Sequence, residues 1–388
     1  VAADDTLARA CARVAEDLDG LVGRVVSRIR SVVPAYSVVA YQEQFDYIRS
    51  EFATMLDCLA RGAALPADLV EKTREVGKRR AQQGMTLQDV VQSYHLGLKE
   101  IWSSLVEQGG DAGPALLDAS SYLWDNVHVL TSAVAVGHGE ATRSAQAVRV
   151  GLRYRLLEAL AQGSGSVGAD LEGLANRLGF DVSGPFAAIV TSAAEWSEVD
   201  VESVQAVLER THRGTDGHRG LVQCSRVGDL VITLTQHSAS GRLVESLRGH
   251  RGAVSVGVGM PRSGLAGAAA SIEDARLAAR AAPAGSVAYF EDDWIAALLA
   301  AHPAQCRPLL AAGDAAAREQ THLADAVTAY AENGFSVSAA ARALHLHANS
   351  VTYRLERWAQ LTGWDPRTFD GLLRSVACLR TRSLPGSE

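Results

Sequence analysis

A multidomain chain of the α and α+β classes is predicted: a helical-bundle N-terminal domain, a mixed-sheet middle domain and an all-α C-terminal helix-turn-helix domain. Three observations predict it. Apolar residues recur at helical spacing over residues 1–150, strand-like apolar runs begin near 185, and an Ala-rich segment followed by a polar one fills 335–365. At 388 residues the chain is long enough for two or three domains of ~100–200 residues each.

Within 1–150 the breaks fall at Val33-Pro34, Arg61-Gly62, Leu65-Pro66, Gly84 and Gly109-Gly110. Between them the spacing predicts helices over 5–32, 41–61, 67–83, 86–108 and 114–147, and Thr86-x-x-Asp89 reads as an approximate capping box. Five helices on short connections pack as a bundle. His95 sits mid-helix with no second haem signal, so it is read as a packing or boundary residue, as are Tyr94 and Trp102. Lys78-Arg79-Arg80 is read as a solvated helix face.

Residues 141–161 form a connector helix with two adjoining apolar stripes, Val148-Leu152-Leu156 and Val150-Tyr154-Leu157, followed by a GSGSVG linker at 163–168. The pattern then changes. Strands are expected at 185–192, in a hairpin at 220–235, at 252–259 and at 287–292, with helices at 201–213 and 264–282. This order makes a mixed sheet with helices on one face.

The C-terminal segment carries the chemistry. Ser336 or Ser338 caps a first helix, Ala339, Ala340, Ala341 and Ala343 propagate it, and Leu344 and Leu346 plug the corner while His345 and His347 stay polar. A second helix begins near Asn349, with Val351, Leu355 and Trp358 as its inward stripe. Asn349, Tyr353 and Gln360 point the opposite way, flanked by Ser350, Thr352 and Arg357. Amides and guanidinium groups read base edges in a major groove. Asn349 therefore suits an adenine edge, and Arg354 or Arg357 a guanine edge or a phosphate. Ser350, Thr352 and Tyr353 suit phosphate oxygens. The competing reading is a plain αα-hairpin with Asn349 as its N-cap.

The net charge of −7 argues against nucleic acid only when taken over the whole chain. Residues 323–388 hold seven arginines against six acids, a weakly basic module on an acidic body. The five cysteines lack metal-ligand or disulfide spacing, which suits a reducing cytoplasm. No apolar run reaches the ~18 residues of a membrane span, and the opening residues read as an acidic amphipathic helix, not a signal sequence. Nucleophile-elbow, Walker, zincin and Rossmann motifs are missing, and no cofactor or metal is expected.

The run from His347 to Trp364, HANSVTYRLERWAQLTGW, resembles the C-terminal helix-turn-helix of the PucR/CdaR family of bacterial transcriptional regulators. His347, Asn349, Tyr353, Arg354, Leu355, Leu361, Thr362 and Gly363 match, whereas Ala348 replaces the usual Arg and Ser350 the usual Thr. The resemblance implies that His347, Asn349, Ser350, Thr352, Tyr353, Arg354 and Arg357 form the DNA-facing set. Residues 15–135 resemble the helical RsbRD-like N-terminal domain shared with co-antagonists of stress signalling. The SVGVGMPRSGLAGAAASIEDARLAAR run, with Ser255, Gly257, Gly259, Ser271 and Ala275, resembles a GGDEF-like domain.

Active diguanylate cyclases carry Gly-Gly-Asp/Glu-Glu-Phe at the hairpin tip. The matching tip here is Val227-Gly228-Asp229-Leu230-Val231. A two-metal phosphoryl-transfer site needs more than one acidic ligand, so a catalytically dead domain is expected. The domains are placed at 1–140 (sensory or dimerising), 141–168 (connector and linker), 169–300 (degenerate GGDEF-like) and 301–388 (DNA-binding). The implied function is a cytoplasmic, signal-responsive regulator, a homodimer or higher homo-oligomer and not an enzyme, that binds a double-stranded operator in answer to an unidentified effector. The alternative is a signalling scaffold or stress-response partner with an inactive cyclase-like domain.

Overall fold

The computed structural model describes residues 2–109, 113–163, 168–194, 196–211, 220–251 and 254–382. Residues 164–167 of the predicted linker, 212–213 of a predicted helix and 252–253 of a predicted strand lie outside them. The chain divides into two compact units, Val1–Val148 and Arg149–Glu388.

The first unit is all helical: α1 (Ala2–Glu16), α2 (Leu18–Val32), a 3-10 turn at Pro34–Val38, α3 (Tyr41–Arg61), α4 (Ala67–Gln82), α5 (Leu87–Gly109) and the first part of α6 (Gly113–Ala161). The predicted 5–32 helix is two helices, because Asp17 leaves the helical region at φ −112°, ψ 38°. Pro34 opens the turn that follows α2, and Gly62 closes α3 in the left-handed conformation that costs glycine least. Thr86 and Asp89 cap α5 reciprocally: the Asp89 carboxylate accepts from Thr86 N at 3.2 Å, and Asp89 N donates to Thr86 Oγ1 at 3.2 Å. The core is one cluster that includes Val22, Val26, Ile101, Leu105 and Leu130.

The segments predicted at 114–147 and 141–161 are a single helix, α6. Its last turns bury Leu156, Leu157 and Leu160 in the core of the second unit.

That unit continues with α7 (Ala169–Arg177), β1 (Pro185–Ser192), α8 (Glu198–Thr211), β2 (Leu221–Val227), β3 (Leu230–Gln236), α9 (Ser240–Arg251), β4 (Val256–Val258), β5 (Arg262–Ser263), α10 (Gly264–Ala281) and β6 (Val287–Tyr289). It ends in α11 (Phe290–Ala301), α12 (Pro303–Glu319), α13 (Thr321–Glu332), α14 (Val337–Ala343), α15 (Ala348–Thr362) and α16 (Phe369–Arg382). The main sheet order is β2-β3-β1-β4-β6, with β5 paired to the start of β1. Only the β4–β6 pair is parallel among the described strands, so the sheet is mixed as predicted.

Helices cover both faces of this sheet, not one. Phe186, Ala188 and Val190 of β1 face Leu265, Ala268 and Ile272 of α10, while Ile189 faces Val201, Val204 and Leu208 of α8. The unbroken apolar run of β1 already carries that information, since a strand buried on both sides does not alternate. The strand expected at 287–292 stops at Tyr289, where Phe290 starts α11.

Glycines set the seam between β4 and α10. A Cβ on Gly257 would stand 2.0 Å from the Ala275 carbonyl oxygen, and one on Gly259 would stand 2.0 Å from that of Ser271. Ser271 Oγ accepts from Ala188 N at 3.0 Å, which ties α10 to the central strand.

Candidate nucleic-acid interface

The C-terminal helices place one polar helix on the outside of a small core. Ser336 Oγ accepts from Ala339 N at 3.3 Å and starts α14. His345 then takes a positive φ of 55°, which turns the chain, and Leu344 and Leu346 pack partly buried against the core. His347, not Asn349, caps α15: its Nδ1 accepts from Asn349 N at 3.2 Å. Asn349 is therefore the second residue of the helix, and its amide is exposed.

The inward stripe is as expected. Val351, Leu355 and Trp358 are fully buried, and the Trp358 indole Nε1 donates to Ser375 Oγ of α16 at 2.8 Å. Thr362 and Gly363 close the helix. Thr362 Oγ1 donates to Trp358 O at 2.8 Å and accepts from Trp364 N at 3.0 Å, and Gly363 adopts φ 76°. The Leu-Thr-Gly-Trp run is thus a helix stop with its indole folded back into the core.

The outward set is brought together only in part. Asn349, Tyr353 and Gln360 are exposed, Tyr353 at 65%. Ser350, Thr352, Arg354 and Arg357 are half-buried on the flanks. Thr352 Oγ1 donates to Ala348 O of its own helix, Arg357 donates to Gln360, and Arg354 Nη1 reaches the His322 carbonyl on α13 at 3.4 Å. Arg354 braces α15 against α13 here. Beyond the end of the helix, the Arg367 guanidinium beside Asp365 holds that carboxyl below its usual range.

At the β2–β3 tip, Val227 pairs with Leu230 across the two-residue turn Gly228-Asp229, with Gly228 at φ 61°. Asp229 is exposed, and its carbonyl accepts from Ala193 N at 2.8 Å. Among the described residues no group of three or more His, Cys, Asp or Glu is placed to hold a metal ion. All five cysteines are free thiols, and burial pushes those of Cys11, Cys224 and Cys378 up to about 11.

The first unit corrects one reading. Arg80 is not on a solvated face but 2% exposed, and its Nη1 donates to Glu43 at 3.1 Å and to Gln83 at 2.8 Å. It stands in a cavity with Gln44, Glu51, Tyr36, Tyr47 and Tyr94. His95 is exposed and does not line that cavity. Burial raises the Glu51 carboxyl to about 7. Gln44 and Glu51 were missed by the sequence reading, although both fall on the apolar stripe of α3 with Ile48, Phe52 and Met55.

The chain matches three family models in succession. Residues 19–153 match the family model described as the RsbT co-antagonist protein rsbRD N-terminal domain. Residues 162–281 match the GGDEF-like domain, and 323–381 the PucR C-terminal helix-turn-helix domain. No curated protein matches the chain. Among solved structures, a regulator of polyketide synthase expression from Bifidobacterium adolescentis is 19% identical, with 60% of this chain and 92% of that chain covered at a TM-score of 0.33. Among the described residues no helix is long and apolar enough to cross a membrane. The chain thus carries, in order, an RsbRD-type N-terminal domain, a GGDEF-like domain and a PucR C-terminal helix-turn-helix domain, the domain set of a PucR/CdaR-family protein.

Proposed function

We propose that this protein is a sequence-specific, DNA-binding transcriptional regulator that responds to a signal. One observation carries the reading: α15 buries Val351, Leu355 and Trp358 completely while leaving Asn349 and Tyr353 free at its N-terminal half. A helix held from behind with amide and hydroxyl groups in front is what a major groove accepts. The match of 323–381 to the PucR helix-turn-helix supports it.

In this reading Asn349 contacts a base edge and Arg357, once released from Gln360, takes a guanine edge or phosphate. His347, Ser350, Thr352, Tyr353 and Arg354 position the backbone. The working unit is a cytoplasmic homodimer, because a +1 module with one reading helix gains affinity mainly by acting in pairs. Exposed Val148 and Tyr154 on α6 suit a contact between copies. The working domain limits are 1–140, 141–168, 169–300 and 301–388, and the middle domain is catalytically inactive. The test is a mobility shift with DNA from upstream of the protein's own gene, in excess of competitor DNA. A shift no stronger than with unrelated DNA argues against a local operator.

A further inference from the structure

The cavity in the first unit is polar where a helical core has no need to be. Arg30 Nε donates to Gln44 Oε1 at 3.0 Å. Because a guanidinium only donates, this fixes the amide orientation and turns Gln44 Nε2 away from Arg30. That nitrogen is buried with no hydrogen-bond partner, and so is Arg80 Nε. Gln44 and Arg80 are each 2% exposed, and both line the same cavity. Two buried N–H donors without acceptors each cost folding free energy unless something supplies oxygens.

The rest of the lining says what kind of molecule supplies them. Phe52, Met55 and Ile101 make apolar walls, and Glu51 and the Tyr47 hydroxyl lie at the polar side. The free volume inside it is about 40 Å³, room for about three water-sized groups. Met55 is a flexible thioether that adapts to a slightly larger guest. A surface cleft of about 510 Å³, lined by Glu43, Asp68, Glu71, Lys72, Glu75 and Arg79, shares Tyr47, Val76 and Arg80 with the cavity.

We propose that this cavity is a binding site for a short-chain monocarboxylate of acetate to propionate size, held by Arg80 Nε and Gln44 Nε2 with its tail against Phe52, Met55 and Ile101. A carboxylate offers two acceptor oxygens to two donors, and charge-assisted bonds of this kind are the strong ones. Below about pH 7 Glu51 does not repel it, because burial raises that carboxyl to about 7 and it then carries a proton beside the guest. That the ligand controls transcription rests on the function proposed above. Binding itself is measured without DNA, so the failure of one is distinguishable from the failure of the other.

The experiment is calorimetric titration of the full chain with sodium propionate, with sodium chloride at equal ionic strength and propionamide as controls. We expect one saturable site per chain, and binding weakened by about tenfold or more for propionamide and for Arg80→Lys, which removes Nε but keeps a cation for Glu43. Gly97→Ala keeps the variant set decisive if Arg80→Lys does not fold. The atoms nearest a Cβ at Gly97 are two of the Phe52 ring at 3.4 and 3.6 Å and one of Val25 at 4.0 Å, so the helix tolerates it while the cavity loses a methyl's volume. It should weaken propionate by about tenfold or more, as loss of fit in a small packed site does. No saturable heat with acetate or propionate, equal affinity for acid and amide, or undiminished binding in Gly97→Ala overturns the proposal.

Discussion

Trp358 Nε1 and Ser375 Oγ lie 2.8 Å apart in the centre of the C-terminal core, and Ser375 Oγ in turn donates to Gly371 O at 2.6 Å. This chain of two bonds fastens α15 to α16 from its buried side. Ser375→Ala leaves the indole N–H buried without an acceptor, at a cost of about 1–3 kcal/mol. Leu355→Ala opens a cavity on the same stripe and costs about 2–5 kcal/mol. Hydrogen exchange of peptides from 348–362 measures both. Unchanged protection in both variants contradicts the packing described.

A matched pair of glycines tests the seam of the middle domain. Gly257→Ala drives a methyl into the Ala275 carbonyl and the Ala279 backbone, and we expect destabilisation of about 1–3 kcal/mol or more. Gly151→Ala meets nothing within 4 Å on α6 and should stabilise by about 0.5–1 kcal/mol through helix propensity. Thermal unfolding of the two variants should move in opposite directions.

Glu51 makes the first unit sensitive to pH in a defined sense. Its carboxyl titrates at about 7 when folded against an ordinary value of 4.5, so the unfolded chain ionises first. Stability from this group is fully present below about pH 4.5 and is lost as pH rises through about 7. A displacement of that size corresponds to about 3 kcal/mol. Glu51→Gln should unfold at higher temperature than the parent at pH 8 and no differently at pH 4. Equal pH profiles for parent and variant would falsify the buried-carboxyl assignment.

The hairpin tip predicts no cyclase chemistry. Incubation with GTP and Mg²⁺ or Mn²⁺ should yield no cyclic dinucleotide, because Asp229 is the single carboxylate on a turn whose neighbours are Val227, Gly228 and Leu230. Product that disappears in Asp229→Ala would reverse that reading.

Much of this architecture is legible in the sequence because its determinants are local. Pro34, Gly62 and the Thr86–Asp89 box act within one turn, and the Val351-Leu355-Trp358 stripe follows from helical spacing alone. The two-sided burial of β1 needed a different rule: an unbroken apolar run signals helices on both faces. Arg80 was misjudged because a basic triplet looks solvated until Glu43, Gln83 and the Tyr36 ring surround one of its members, and that partner set comes from other elements. Gln44 and Glu51 had a readable signal, two polar residues at stripe positions of α3, which a search for known motifs passes over.

The central claim is that the exposed face of α15 reads DNA, and selection of binding sites from a random duplex pool tests it most directly. We expect the full chain to enrich a two-fold-symmetric site, with Asn349→Ala and Arg357→Ala folding normally. Each substitution should weaken binding to that site by on the order of 2–6 kcal/mol, since a lost base contact of ~1–3 kcal/mol counts once per half-site. Arg354→Ala, if it touches phosphate, should lower affinity evenly across sequences and flatten the salt dependence. No enriched sequence, or Asn349→Ala and Arg357→Ala proteins that fold and bind the enriched site as tightly as the parent, would contradict the claim.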